Sequence, residues 1–277
     1  MKHKSWMIIS LLFIMLVSAA CSSAEGEKAK EVFAKSSEAS KSLDSLAMSI
    51  NMTQNISLQS PKGTDTTGSM PMNMPIKTTI DSKMQMDPIA FHQTIEIFGQ
   101  TVEQYYSDRG MYMSQPGKDG WFKAPKEIVE QLNQVSAAQQ TPAKQLETLQ
   151  EYVDEFNLEE KEDSYILSFS SKGEDVQKLI KKTMTESMPK ELLPEDLLKG
   201  LTVEKASYTL TINKDTYYPE AIESAMDFTM EMDGEKASIS QEMSGTYSKF
   251  NEVGEITIPQ EVIDHAKEMP GLSSLPQ

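Results

Sequence analysis

Sulfur carries the most distinctive chemistry in this sequence. Cys21 is the only cysteine among 277 residues, so no disulfide can form within the chain. It follows three small residues, Ser18, Ala19 and Ala20. The thioethers are the other sulfur group. Of the 19 methionines, all but Met1, Met7 and Met15 lie beyond Cys21. Several recur as Met-x-Met: Met70/Met72/Met74, Met84/Met86, Met111/Met113 and Met230/Met232. In a strand this spacing puts both thioethers on one face. Such rows fill cores. They also line deformable apolar pockets, because methionine is flexible, polarizable and common at promiscuous binding surfaces. A third use is soft-metal binding, with Met70-Pro71-Met72-Asn73-Met74 presenting thioethers to Cu(I). No Cys or His accompanies that run, and no metal site is assigned.

Catalytic chemistry finds little support. Beyond Cys21 the histidines are His92 and His265. There is no H-E-x-x-H, no G-x-S-x-G, no Gly-rich phosphate loop and no P-loop lysine. The run Glu159-Glu160-Lys161-Glu162-Asp163 reads as a solvated loop. The expectation is a protein that is not an enzyme and has no cofactor.

The amino end explains the cysteine. Met1-Lys2-His3-Lys4 precedes an apolar run from Ser5 to Val17, the pattern of a secretory signal peptide. The run falls short of the roughly 20 apolar residues that span a bilayer. Ser18-Ala19-Ala20-Cys21 resembles a bacterial lipobox, in which the signal is cut before the cysteine and the thiol is diacylated. Ser18 stands where that motif usually carries Leu. Residues 1–20 are therefore expected to be removed, Cys21 to be lipidated, and residues 21–27 to form a short linker. The expected location is a membrane surface outside the cytoplasm. A Lys-rich, Arg-poor chain fits a low-GC Gram-positive host, with the anchor in the outer leaflet of the plasma membrane.

Charge narrows the partners. The formal net charge is −16, and loss of Lys2 and Lys4 makes the remainder more negative. Such a surface repels nucleic-acid phosphates and anionic headgroups. Membrane attachment must come from acyl chains, and nucleic acid is excluded as a partner.

The positioning elements follow from periodicity. Val32, Phe33, Ser36, Ala39, Ser40 and Leu43 lie near one face of a helix over 27–43. The period then becomes two. Leu46, Met48, Ile50, Met52, Ile56 and Leu58 alternate with small polar residues, the mark of a half-buried strand. Pro61 to Gly68 is a loop. Strands are expected over 76–87, 89–97, 101–106, 111–113 and 121–123. Pro125 to Ala138 and Pro142 to Phe156 are helical, with Pro at each entrance. A strand over 164–170, a helix over 175–188 and a short one over 190–199 come next. Tyr208, Leu210 and Ile212 share a strand face, as do Met226, Phe228, Met230 and Met232. A further strand runs from Ala237 to Tyr247. Asp233-Gly234 between the last two is a hairpin signal. A short helix closes the chain before Lys267, and residues 269–277 form a loose tail. The fold class is α+β: a single domain over 28–268, with a large curved antiparallel sheet and helices packed in its concave face. The cavity candidates on that face are Met48, Ile50, Met52, Met84, Met86, Met111, Met113, Trp121, Phe122, Phe228, Met230 and Met232.

A helix, long amphipathic strands and a tyrosine-rich segment ending in Trp121-Phe122-Lys123 resemble LolA-like lipoproteins. So do a helical middle and strands leading to Tyr247-Ser248-Lys249-Phe250-Asn251 and Ile256-Thr257-Ile258-Pro259. The comparison is with LolA-like lipoproteins of Bacillus-type bacteria and, more distantly, the mycobacterial LppX/LprG carriers. The resemblance implies a half-barrel wrapped around helices, with an apolar cavity that holds acyl chains. It carries no catalytic residues. The function expected first is a membrane-anchored protein that binds lipid. The alternatives are an envelope module that binds a protein partner, and a Met-based Cu(I) carrier.

Overall fold

Alternation of period two governs most of this chain, and a single sheet is its product. The computed structural model describes residues 18–59, 75–114, 116–117, 120–126, 129, 142–187, 195–232 and 235–269. Its strands are β1 (Ser45–Gln59), β2 (Ile76–Met86), β3 (Ile89–Ile97), β4 (Gln100–Ser107), β5 (Gly110–Ser114), β6 (Trp121–Lys123), β7 (Asn157–Glu160), β8 (Ser164–Lys172), β9 (Leu201–Asn213), β10 (Pro219–Met232), β11 (Glu235–Ser248) and β12 (Ala266–Glu268). They form one 12-stranded sheet in the order β12-β6-β5-β4-β3-β2-β1-β11-β10-β9-β8-β7. Every neighbouring pair is antiparallel except β12 with β6. The two ends do not meet, which leaves the open half-barrel expected from the sequence.

Register sorts the side chains onto two faces. On β1, Met48, Ile50 and Met52 stand opposite Tyr247, Gly245 and Met243 of β11. Leu46 and Ile50 stand opposite Met84 and Ile80 of β2. This is the inner face. The outer face carries Ser49, Asn51, Thr53 and Asn55 beside Thr246, Ser244, Glu242 and Ser240.

The helices are α1 (Ser18–Lys41), α2 (Pro142–Leu149) continued by a 3-10 turn (Gln150–Glu155), α3 (Glu174–Ser187), α4 (Glu195–Gly200) and α5 (Gln260–His265). In α1 a stripe of Ala29, Val32, Phe33, Ser36 and Ser40 is buried, at the three-and-four spacing of a face turned to a sheet. Glu31 and Lys35 pair at 2.7 Å on its exposed side. Phe33 meets Phe156 at 6.0 Å between ring centroids. The main core joins this helix to Leu146, Leu167, Val176, Leu179, Val203, Leu210 and Ile212. A second core gathers Met84, Phe91, Tyr106, Ala124 and Val129. A third joins Leu43, Leu46, Ile222 and Tyr247.

A side-chain clamp fixes the start of β1. Asn251 accepts from the backbone N–H of Asp44 at 2.7 Å, and its own N–H donates to the carbonyl of Ser45 at 2.8 Å. It does so from the left-handed region, with φ 59, where Asn is among the residues best tolerated. Gln85 accepts from the N–H of Ile256 at 2.5 Å, so the segment after β11 is laced to β2.

Five boundaries differ from those expected. α1 begins at Ser18 and runs through the segment read as a linker; its Ala and Glu residues are strong helix formers. The helix after Pro142 tightens into a 3-10 turn at Gln150. Asn157–Glu160, which takes in the first two residues of the acidic run read as a loop, is an edge strand paired to β8. Charge on an edge strand guards against further pairing, and in sequence it looks like a loop. β9 begins at Leu201, before the alternation over 208–212. The closing helix stops at His265, and Ala266–Glu268 becomes an edge strand on β6. The leader Met1–Val17, the loop Pro61–Gly68, the Met70–Met74 run, the Asp233-Gly234 turn and most of the tail lie outside the described residues. So does most of the stretch from Pro125 to Ala138.

Candidate functional site

Among the described residues, the inner face is buried most deeply towards its two ends. Under α1, α2 and α3, Leu167 and Ile212 are 0% exposed and Val203 is 1% exposed. At the other end Met84, Phe91 and Tyr106 are buried against Ala124 and Val129. Between them runs an apolar lane whose side chains are only half-buried. It comprises Ile50, Met52 and Ile56 of β1, Ile80 of β2, Ile95 of β3, Ile239 and Met243 of β11, and Met226 and Phe228 of β10. At its margin Leu58 is 45% exposed. Gly245 lies in the lane because no side chain fits there: an added Cβ would meet Ile222 at 2.9 Å and Ile50 at 3.4 Å. Two pairs of polar side chains on this face satisfy each other. Gln54 donates to Gln241 at 2.7 Å and Gln93 donates to Gln104 at 2.6 Å, so their burial leaves no orphaned amide in either pair.

The candidates divide accordingly. Met48, Ile50 and Met52 are half-buried on the inner face, as are Phe228 and Met230 across β11. Met113 and Phe122 stand opposite each other, also half-buried. Met84 is core, and Met86 and Met111 pack against it. Met232 ends β10. Trp121 is on the other face. It pairs with Ser114 and meets Tyr105 at 5.6 Å, under Ile258 and Val262. Adjacent strand residues point oppositely, so Trp121 and Phe122 cannot both line one cavity. Arg109 is exposed beside the β4–β5 turn and borders a hollow of about 370 Å³ with Gln85, Pro88, Asp108 and Glu255.

Sequence reasoning passed over Met226, Met243 and Tyr208 as lining residues. Parity with Met230 places Met226 on its face. Tyr208 pairs with Ser224 of β10 and packs against both the main core and the third one. Its ring meets Phe156 edge-on at 6.2 Å. Protein surrounds the ring, and desolvation, with a smaller contribution from Tyr247, pushes its phenol far above the usual tyrosine value. Yet the side chain is only half-buried. Burial likewise pushes Tyr247 up to about 12.

The outer face offers different chemistry. Hollows of about 360 and 480 Å³ lie over Asn51, Thr53, Ser207, Glu223 and Glu242, and over Asn55, Ser57, Glu204, Asp227 and Ser240. Both present hydroxyls, amides and carboxylates and suit polar partners. His92 and Tyr105 both meet Glu103 Oε1, at 2.7 and 3.1 Å. Desolvation first and Glu103 second push Tyr105 up to about 12. This set lies on the outer face of β3 and β4, with Tyr105 packed against the cluster of Tyr112, Ile258 and Val262. Among the described residues no group of three or more His, Cys, Asp or Glu could hold a metal ion. No described helix is long and apolar enough to cross a membrane.

A family model for a family of unknown function, DUF6612, matches residues 28–267. No curated protein matches the chain. The solved structure of LprF from Mycobacterium bovis is 14% identical, with a TM-score of 0.41 over 84% of this chain and 96% of that one. A DUF1329 family protein from Desulfovibrio piger is 8% identical, with a TM-score of 0.27 over 84% of this chain and 95% of that one.

The buried phenols fix an alkaline limit. An unfolded tyrosine ionises near pH 10, while folded Tyr247 holds its proton to about 12 and Tyr208 beyond that. Above pH 10 the folded state therefore binds more protons than the unfolded one, and stability falls with rising pH. The contribution is whole below pH 10. Melting temperature should be level from neutrality to about pH 9 and then drop, and Tyr247→Phe should soften the drop. An unchanged alkaline limb in that variant would contradict the assignment.

Proposed function

This chain belongs to that family of unknown function, and from its own geometry we propose that it is a lipid-anchored extracytoplasmic protein that binds acyl chains along the inner face of its sheet. The observation that carries the proposal is the half-buried apolar lane between two buried cores. An apolar surface left uncovered inside a fold is stabilised by a ligand that removes it from water. Each acyl methylene buried there contributes about 0.8 kcal/mol, so about ten supply on the order of 8 kcal/mol, the scale of micromolar binding. Met52, Met226 and Met243 suit such a ligand, since unbranched thioethers adapt to chains of varied shape. The layout's resemblance to LolA-like lipoproteins supports the same reading.

A second reading concerns the outer face. Its paired hollows carry Glu223, Glu242, Glu204 and Asp227 among small hydroxyl residues. With a net charge of −16, that surface suits a basic protein partner in the envelope.

Protein purified from its own host and extracted with solvent should release lipid, identified by mass spectrometry. Met52→Trp, which fills the lane, should cut that lipid severalfold and leave the fold intact. A wild-type extract free of lipid would sink the acyl-chain reading. The anchor has its own test. Cys21→Ser should move the protein from the membrane fraction to the medium and abolish palmitate labelling; a variant that stays on the membrane would show that Cys21 is not the attachment.

A further inference from the structure

Among the described residues, the helix that packs on the inner face holds hydroxyl groups without a hydrogen-bond partner. Ser36 and Ser40 are 0% and 4% exposed, and neither Oγ has a hydrogen-bond partner. Both lie on the buried stripe of α1, between Phe33 and Leu43. Phe33 belongs to the main core and Leu43 to the third core, and Tyr208 packs against both. The two serines thus lie on the helix between residues of the two clusters that Tyr208 also borders. Among the described residues, the Tyr208 hydroxyl has no hydrogen-bond partner either. A buried donor left unmade is costly, and serines at i and i+4 of one helix face place two such costs side by side. The stripe itself is explained by close packing of a helix on a sheet; the unpaired hydroxyls are not.

We infer that Ser36, Ser40 and Tyr208 form a polar subsite that receives the ester carbonyl of an acylated lipid, with its hydrocarbon chain in the adjoining lane. This rests on the acyl-chain reading and narrows it. The donors are neutral, and the polar and charged side chains buried in the described residues are Ser, Thr and Gln alone. Among the described residues no buried cation stands ready for a carboxylate. The lysines of α1 face outward: Lys28 pairs with Glu160, Lys30 with Asp154 at 2.6 Å and Lys35 with Glu31 at 2.7 Å. A free fatty acid would bury its charge unpaired, which is strongly unfavourable. An ester keeps two acceptor oxygens and no charge, and it matches hydroxyl donors. Met226 and Met230 pack against the main core beside Tyr208, and Met48 and Met243 against the third. The chain attached to a carbonyl at this spot therefore has thioethers on both sides.

The test compares monooleoylglycerol with oleate on the delipidated full chain, read by native mass spectrometry at neutral pH. Wild type should favour the ester by about tenfold or more. Ser36→Ala, Ser40→Ala and Tyr208→Phe remove hydroxyls and little else, and each should weaken ester binding by about two- to tenfold, the worth of one hydrogen bond. Oleate binding should not change, and melting temperatures should hold or rise, because orphaned polar groups are removed. An undiminished ester preference in the triple variant would overturn the subsite, leaving those hydroxyls to an ordered water only. A wild-type preference for oleate would overturn it too. Failure of wild type to bind either probe would instead remove the acyl-chain reading on which it rests.

Discussion

The packing of α1 across the inner face of the sheet is the contact on which the interior depends. Phe33 anchors the helix against Phe156 and the main core, and Leu43, just beyond its last residue, packs against Leu46 and Tyr247. Between them Ser36 and Ser40 let helix and sheet approach closely. The ion pairs from Lys28 and Lys30 to Glu160 and Asp154 are solvent-exposed; they orient the helix but hold it weakly. No disulfide shares the task, since the single thiol is Cys21.

The lane follows from dimensions. Twelve strands at about 4.8 Å apart make a sheet on the order of 50 Å wide. A helix with its side chains is about 10–12 Å across. The described helices of the inner face cover β8 to β10, while Ala124 and Val129 lie over Met84 and Phe91 at the other end. Strands β1, β2, β3 and β11 between them keep apolar side chains half-buried. The outer face solves the opposite problem. It is dense in Ser, Thr, Asn and Glu, and its edges carry Glu159 and Glu160 at one end and Lys267 and Glu268 at the other. Those charges keep an open sheet from pairing with another. An apolar ligand therefore has one face available to it, the face that also bears the orphaned hydroxyls.

The sheet was legible in the sequence because period two is hard to hide. Leu46 to Leu58 and Ala237 to Tyr247 alternate so regularly that their inner faces follow from parity alone. The short edge strands were not legible. Asn157–Glu160 and Ala266–Glu268 bury little, and their charges read as solvent. The 3-10 turn at Gln150 depends on Val153 and Phe156 docking beneath α1, which no local pattern records. Among the candidates, the inner-face placement of Met52, Phe228 and Met230 was readable from spacing. Trp121 was not, because a three-residue strand has no pattern long enough to tell one face from the other. Tyr208 had a strand face but no sign of its depth, and the isolation of the Ser36 and Ser40 hydroxyls exists only once helix and sheet are together. The clamp by Asn251 shows the reverse case. Tyr247-Ser248-Lys249-Phe250-Asn251 was recognised as a resemblance, and its physical cause is a left-handed Asn capping the start of β1.

The central claim is that the inner lane, and not the outer face, receives acyl chains. Photolabelling tests it most directly. An acyl lipid with a diazirine at the end of its chain, bound to the wild-type protein and cross-linked by light, leaves its mark on the residues it touches. Peptide mass spectrometry should place the adducts on Ile50, Met52, Met226 and Phe228. Adducts spread over Asn51, Thr53 and Glu223 of the outer face, or none above an unbound control, would contradict it.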